Sequence, residues 1–315
     1  MVKNIVSLFL LFFSFTSLTL ANEDYREKMK ELIKEIRLNT NKEKIIITQN
    51  GSEIYFKNNK LDLEFLSYVN GASQESLFYG EEGKLGKKTS SQEKNSLLKN
   101  LTQIRDYEKI VFDINYSKNK TNRKDIEKEN KKYDFIGEEI PSFAADTFNI
   151  PMKGFNKKEI SSLNEAENFL YLLNPHKFKD INEYFKVLSN TDYDILIIEP
   201  SLNGTFFTKE QIEKLKYKST GEKRIIIAYF SIGEAEDYRS YWKNEWNKKL
   251  PFWIEGENKN WKGNFIVRYW TDEWKKIIKD YQENLDSINV DGYYLDTIDT
   301  FYYFENRENQ IKKQP

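Results

Sequence analysis

Short apolar runs that stop at a carboxylate or an amide recur along this chain, separated by stretches with helical spacing. The clearest is residues 290–299, VDGYYLDTID, where Val290, Tyr293, Tyr294 and Leu295 lead to Asp296, with Asp299 three residues on. Asp291-Gly292 is a turn signal, so the segment predicts a short buried strand that delivers Asp296 at its C-terminal end. A bare carboxylate there is costly unless a site uses it, and in a parallel α/β sheet that edge is where ligands bind.

Seven further runs have the same design. Residues 45–47 lead to Gln49, Asn50 and Gly51, 66–75 end at Glu75, and 110–113 stop at Asp113. Residues 140–143 precede Asp146, 169–173 end at Asn174, 195–198 at Glu199, and 225–230 run through Ser231 and Gly233 to Glu234. Helical patterns lie between most of them. Residues 24–37 place Met29, Leu32, Ile33 and Ile36 on one face, and helices are also expected near 95–104 and over 117–132. Thr208 to Gln211 reads as a capping box, and Thr271 as the cap of a helix with Trp274, Ile277, Ile278, Tyr281 and Leu285 on one face. Eight such units predict an α/β protein with a (β/α)8 TIM barrel. A doubly wound open sheet is the competing fold, but no glycine-rich phosphate loop accompanies it. One terminal acid would be a solvated turn residue; Glu75, Asp113, Glu199, Glu234 and Asp296 together predict a shared acidic mouth.

Composition narrows the chemistry. With 49 Lys+Arg against 50 Asp+Glu there is no basic face for nucleic acid. The absence of cysteine removes disulfides, thiol nucleophiles and thiolate-bound zinc, and the single histidine, His176, leaves no His triad or multi-His metal site. No cofactor is implied. Carboxylates, tyrosines and arginines remain, beside 22 Phe, 20 Tyr and 6 Trp that suit either a core or the ring platforms of a sugar cleft. Residues 1–21 have a basic start, an apolar stretch and a small-residue end at Ala21, the pattern of a secretory leader, with an uncleaved anchor as its alternative. The mature chain is then expected to be secreted or periplasmic and off the membrane, with 22–315 forming one barrel. Residues 147–166, with Pro151 and Gly154, read as an internal linker.

Three segments carry a family resemblance: 227–239 (IAYFSIGEAEDYR), 264–270 (NFIVRYW) and 291–296 (DGYYLD). They resemble the endo-α-1,4-polygalactosaminidase-like glycoside hydrolases of family 114, whose usual opening is also matched at 169–174 and 194–201. Members normally continue past the YLD strand, whereas this chain ends at Pro315. The segments at 45–53, 71–80, 110–116 and 140–146 resemble the family's later strands. The resemblance therefore implies a circularly permuted barrel, family strands five to eight (22–146) preceding one to four (167–315). The new break would fall after Asp299, with residues 24–37 completing the fourth helix from the other end. A rearranged gene or a domain-swapped dimer would give the same order, a monomer being the simpler expectation.

The resemblance further implies a polysaccharide substrate of α-1,4-linked galactosamine and a two-carboxylate mechanism, retaining, with Asp296 as nucleophile and Glu75 as acid/base, or those roles exchanged. Around them the expected substrate contacts are Glu234, Asp237, Asp299, Asp113 and Glu199 as an acidic lining, and Tyr229, Tyr238, Tyr79 and Trp270 as ring platforms. Asn50 is expected as a partner for hydroxyls, and Arg268 and Arg239 as orienting groups that could equally be buried ion pairs. The family usually has Asp where Glu199 stands. Two other functions fit the same residues: a secreted carbohydrate-binding barrel that has lost turnover, and a metal-dependent transferase or deacetylase using Asp296 and Asp299.

Overall fold

The computed structural model describes residues 24–148 and 156–312; the expected leader, and residues 149–155 of the expected linker, lie outside them. Eight strands carry the design: β1 Ile45–Gln49, β2 Gly71–Glu75, β3 Ile110–Tyr116, β4 Ile136–Ile140, β5 Phe169–Leu172, β6 Ile195–Ile198, β7 Ile225–Ser231 and β8 Gly292–Asp296. All pair in parallel in the order β4-β3-β2-β1-β8-β7-β6-β5. The strand that ends the series, β8, therefore pairs directly with the one that opens it, Ile45 facing Gly292 and Thr48 facing Leu295. β4 lies against β5 without a hydrogen-bonded ladder among the described residues. Above that seam the Ala145 carbonyl accepts from the N–H groups of Leu173 and Asn174, at 2.9 and 3.1 Å. The sheet is a nearly closed TIM barrel.

Alternation along each strand divides the core into two layers. Ile47, Phe112, Ile114, Tyr116, Phe169, Tyr171, Ile195, Ile197, Ile227, Tyr229 and Tyr294 fill the barrel, while the alternate residues pack against the outer helices. Close strand contact explains Gly292, where a Cβ would meet the Ile45 carbonyl oxygen at 2.3 Å.

The helices are α1 Tyr25–Leu38, α2 Leu63–Tyr68, α3 Ser91–Asp106, α4 Lys120–Tyr133, α5 Ile181–Ser189, α6 Lys209–Leu215, α7 Asp272–Ser287 and α8 Phe301–Lys312. The capping box on α6 forms as expected. Thr271 precedes α7 but makes no side-chain cap; its hydroxyl donates instead to the Arg268 carbonyl at 3.0 Å. Two strand boundaries differ from expectation. Residues 66–68 belong to α2, where Asp62 caps the helix from Phe65 N, and β2 begins only at Gly71. The strand expected at 140–143 ends at Ile140, because IGEEI carries two glutamates that mask it in the apolar pattern.

The single fourth helix expected across the break is two helices. α1 packs against α2 and α7, whereas α8 lies against its first turns. Arg26 forks onto Glu305 at 2.7 and 3.0 Å, and Tyr25 stacks on Phe304 at 5.3 Å. Residues 254–257 and 264–267, with 234–236, form a separate three-stranded antiparallel sheet between β7 and α7. Among the described residues no helix is long and apolar enough to cross a membrane.

Candidate active site

At the C-terminal ends of β1, β2 and β8 the next residue turns sharply. Asn50, Ser76 and Thr297 have φ of 58°, 56° and 59°, the left-handed region. Asparagine adopts it readily, whereas a β-branched threonine there is strained, at a cost of about 1–3 kcal/mol. Thr297 is compensated by a dense set of bonds. Its N–H donates to Asp296 Oδ1 at 2.7 Å, and its hydroxyl oxygen accepts from Gly233 N at 2.8 Å and meets Ser231 Oγ at 3.0 Å. Gly233 allows this approach, since a Cβ would lie 2.1 Å from the Thr297 carbonyl oxygen. The turns leave Glu75 and Asp296 at the mouth, on strands flanking β1.

Three donors converge on Glu75. Asn50 Nδ2 donates to Oε2 at 3.0 Å, and the Tyr116 and Tyr171 hydroxyls donate to Oε1, the second at 3.4 Å. Asn50 Oδ1 also accepts from Glu75 N and Gln74 Nε2, at 3.0 and 3.1 Å, so this amide is committed to placing Glu75 rather than to a sugar hydroxyl. Asp296 has a different environment. Burial and the nearby Glu75 charge push its carboxyl well above the usual range, against the bonds from Thr297 N and the Tyr229 side chain. Asp299, pushed up to about 7 by burial and by the Glu234 and Glu75 charges, shares the pocket. Glu234 is buried and raised too, though Asn258 donates to it at 2.7 Å. Like charges held together in a poorly solvated site favour keeping one proton among them.

Behind Asp296 lies a buried chain of polar contacts. Tyr229 OH donates to Glu236 Oε1 at 3.2 Å, Arg239 Nε donates to Glu236 Oε2 at 2.7 Å, and Arg239 forks onto Glu199 at 2.8 and 2.7 Å. Arg239 therefore orients two acids, and Glu199 is held in this pair rather than left open to the mouth. Tyr238, half-exposed on the rim, also donates to Glu236, at 2.5 Å. Asp237 is exposed on the same rim, where its N–H donates to the Gly263 carbonyl at 2.9 Å.

Three expected contacts lie elsewhere, which corrects the expectation for each, and Arg268 takes its ion-pair alternative. Asp113 is inside β3, not at its end. The strand continues to Tyr116 with Phe112 and Ile114 inward, so Asp113 faces outward and accepts from Asn115 and Asn130 at 2.6 and 2.7 Å. Tyr79 is buried with its hydroxyl donating to Asp125 of α4 at 2.7 Å. Arg268 pairs with Glu255 at 2.6 Å, which Arg307 of α8 also reaches. Trp270 packs on Tyr25 and Phe304 with the Lys28 ammonium 4.2 Å above its ring. Both serve the junction of α1 and α8, because the residues after β7 cross to that side. Conversely, Tyr116, Tyr171, Tyr294, Thr297 and Glu236 were not singled out from sequence. The tyrosines have a signal, their inward period-two positions; the other two have none.

The placement of Asp113 carries its own prediction. Burial raises it from near 3.8 to about 7. Between those values the native state binds more protons than the unfolded chain, so stability falls as pH rises from about 4 to about 7 and the full cost persists above. Asp113→Asn removes that cost but leaves a buried amide N–H without a partner. We expect a gain of about 1–3 kcal/mol at pH 8 and none at pH 4, read from urea unfolding. An equal effect at both values would contradict the assignment.

Residues 164–314, which carry β5 to β8, match the model of glycoside-hydrolase family GH114. An uncharacterized protein of Methanocaldococcus jannaschii is 39% identical over 154 residues, covering 47% of this chain and 42% of the relative. Uncharacterized proteins of Thermotoga maritima and Deinococcus radiodurans are 36% and 32% identical over 117 and 116 residues, each match covering 36% of the relative. The chain thus spans less than half the length of these relatives. Over residues 164–314, somewhat under half of its length, the chain is similar to glycoside-hydrolase family GH114.

Proposed function

We propose that this protein is a glycoside hydrolase in which Glu75 and Asp296 flank the scissile bond of an α-1,4-linked galactosamine polymer. One observation carries the reading: two mouth carboxylates, on strands either side of β1, feel each other's charge but are bonded differently. The hydrogen bonds favour the exchange of the roles given by position. Glu75 accepts from an amide and two phenols, an arrangement that aims its carboxylate, whereas burial favours the proton on Asp296. Glu75 then attacks the anomeric carbon as the C–O bond to the leaving sugar breaks, and the Asp296 proton passes to the leaving oxygen. Asp296, now ionised, takes a proton from the water that displaces Glu75, and configuration is retained. Glu234 and Asp299 give the mouth a negative charge that suits the amines of such a polymer.

The chain order is part of the proposal. The family match carries β5 to β8, Glu75 comes from β2, and β8 pairs with β1 inside one chain. A permuted single barrel, acting as a monomer, accounts for all three. Residues 1–21 are read as its export signal.

Incubation with α-1,4-galactosamine oligomers should release shorter oligomers whose first-formed anomer, read by NMR, is α. Activity should fall at alkaline pH as Asp296 loses its proton. A chain rejoined with 156–312 ahead of 24–148 should act likewise. A β anomer would exclude the covalent role of Glu75, and binding without cleavage would leave a carbohydrate-binding barrel.

A further inference from the structure

A cavity of about 470 Å³ opens beside Glu75. Glu75 and Tyr116 form its inner end, Phe143 stacks on Tyr116 at 4.1 Å, and Trp261 borders the cavity from the opposite half of the chain. The indole is 50% exposed and makes no ring or cation contact among the described residues. It stands at the tip of the hairpin between residues 254–257 and 264–267, and that tip is braced. Asn264 N donates to the Trp261 carbonyl at 3.1 Å, Trp261 N to the Asn258 carbonyl at 3.2 Å, and Gly263 N to Glu257 Oε1 at 2.8 Å. Gly263 has φ +86°, and a Cβ there would lie 2.9 Å from Asp237 Oδ1, so the turn requires glycine. Asn258 anchors the same turn to Glu234 in the mouth.

A large, exposed ring held on a rigid turn contributes little to folding, yet it can bind a flat apolar face without loss of its own freedom. The C–H face of a pyranose is such a surface. Two of the acids lining the cavity are engaged by lysines: Glu81 pairs with Lys87, and Glu82 with Lys84 and Lys87. We propose that this cavity is a sugar subsite next to the cleaved bond on the Glu75 side, with a pyranose of the polymer held between Trp261 and Phe143. The proposal rests on the hydrolase reading and deepens it. Recognition here is by ring stacking, so it tolerates salt and does not depend on a free amine.

The test is Trp261→Ala assayed on galactosamine oligomers of increasing length. Wild-type kcat/KM should rise with length until the subsite is filled, and the variant should lose about tenfold of that rise through KM. Trp261→Phe should recover most of it, and 0.5 M NaCl should leave the ratio unchanged. An unaltered KM, or a loss as large on a dimer as on long oligomers, would overturn the subsite. Absence of turnover by the wild-type protein would instead defeat the hydrolase reading. Calorimetric titration of the oligomers then decides the subsite: about tenfold weaker binding by Trp261→Ala supports it, and equal affinity excludes it.

Discussion

Asp296→Asn and Glu75→Gln are each expected to lower kcat on the polymer by about 10²–10⁴-fold without loss of the fold. The two losses should differ in kind. An aryl glycoside whose leaving group needs no proton should restore the first step of the Asp296 variant, leaving the attack of water, now without its base, as the slow step. It should not restore a Glu75→Ala variant, which azide should rescue by taking the place of the missing nucleophile. The basis is the contrast between the two carboxyls: Glu75 accepts from Asn50, Tyr116 and Tyr171, whereas burial and the Glu75 charge favour the protonated form of Asp296. The reverse pattern of rescue would return the nucleophile to Asp296. Full activity in either variant would remove the pair from the chemistry.

Arg239→Met is expected to cost about 3–5 kcal/mol of stability in urea unfolding, a large share of what a domain of this kind has. The side chains of Arg239, Glu199 and Glu236 are only 4%, 5% and 2% exposed, so the change leaves two carboxylates buried without a counter-charge. Burying ions is itself costly, and the set gains its stability only when complete. Arg239→Lys keeps the charge but loses the fork that reaches Glu199 twice and Glu236 once, and should fall between the two. Replacing all three by Leu, Met and Leu should recover much of the stability while lowering kcat, because Tyr229 would lose the Glu236 partner that holds it beside Asp296. Arg239→Met within 1 kcal/mol of the wild type would contradict this account of the network.

The eight-strand ring was legible because buried parallel strands are continuous apolar runs, and Asp296, Glu199 and Asn174 stop theirs abruptly. β4 was misplaced by a few residues because Glu138 and Glu139 interrupt its apolar run, and the Arg123 that holds Glu139 at 2.7 Å lies 16 residues back on α4. Asp113 was misread because a polar residue within a strand looks like its end. What satisfies it, Asn130, lies 17 residues away on a helix whose packing no local pattern reveals. The same limit hid the roles of Arg268 and Trp270, which depend on where α8 lies. Strain at Thr297 was invisible for another reason, since a positive φ at threonine is imposed by surrounding bonds and not by its own preference. Tyr116, Tyr171 and Tyr294 could have been found by following the inward period of β3, β5 and β8 as closely as their terminal acids.

The central claim is that acids from the two halves of the chain act on one bond. A crystal structure of Asp296→Asn with a bound galactosamine oligomer tests it most directly. The account predicts the glycosidic oxygen within about 2.6–3.2 Å of the residue 296 side chain, the anomeric carbon facing Glu75, and side-chain groups about 5–5.5 Å apart. An oligomer bound away from both residues, or a separation beyond about 10 Å, would contradict it.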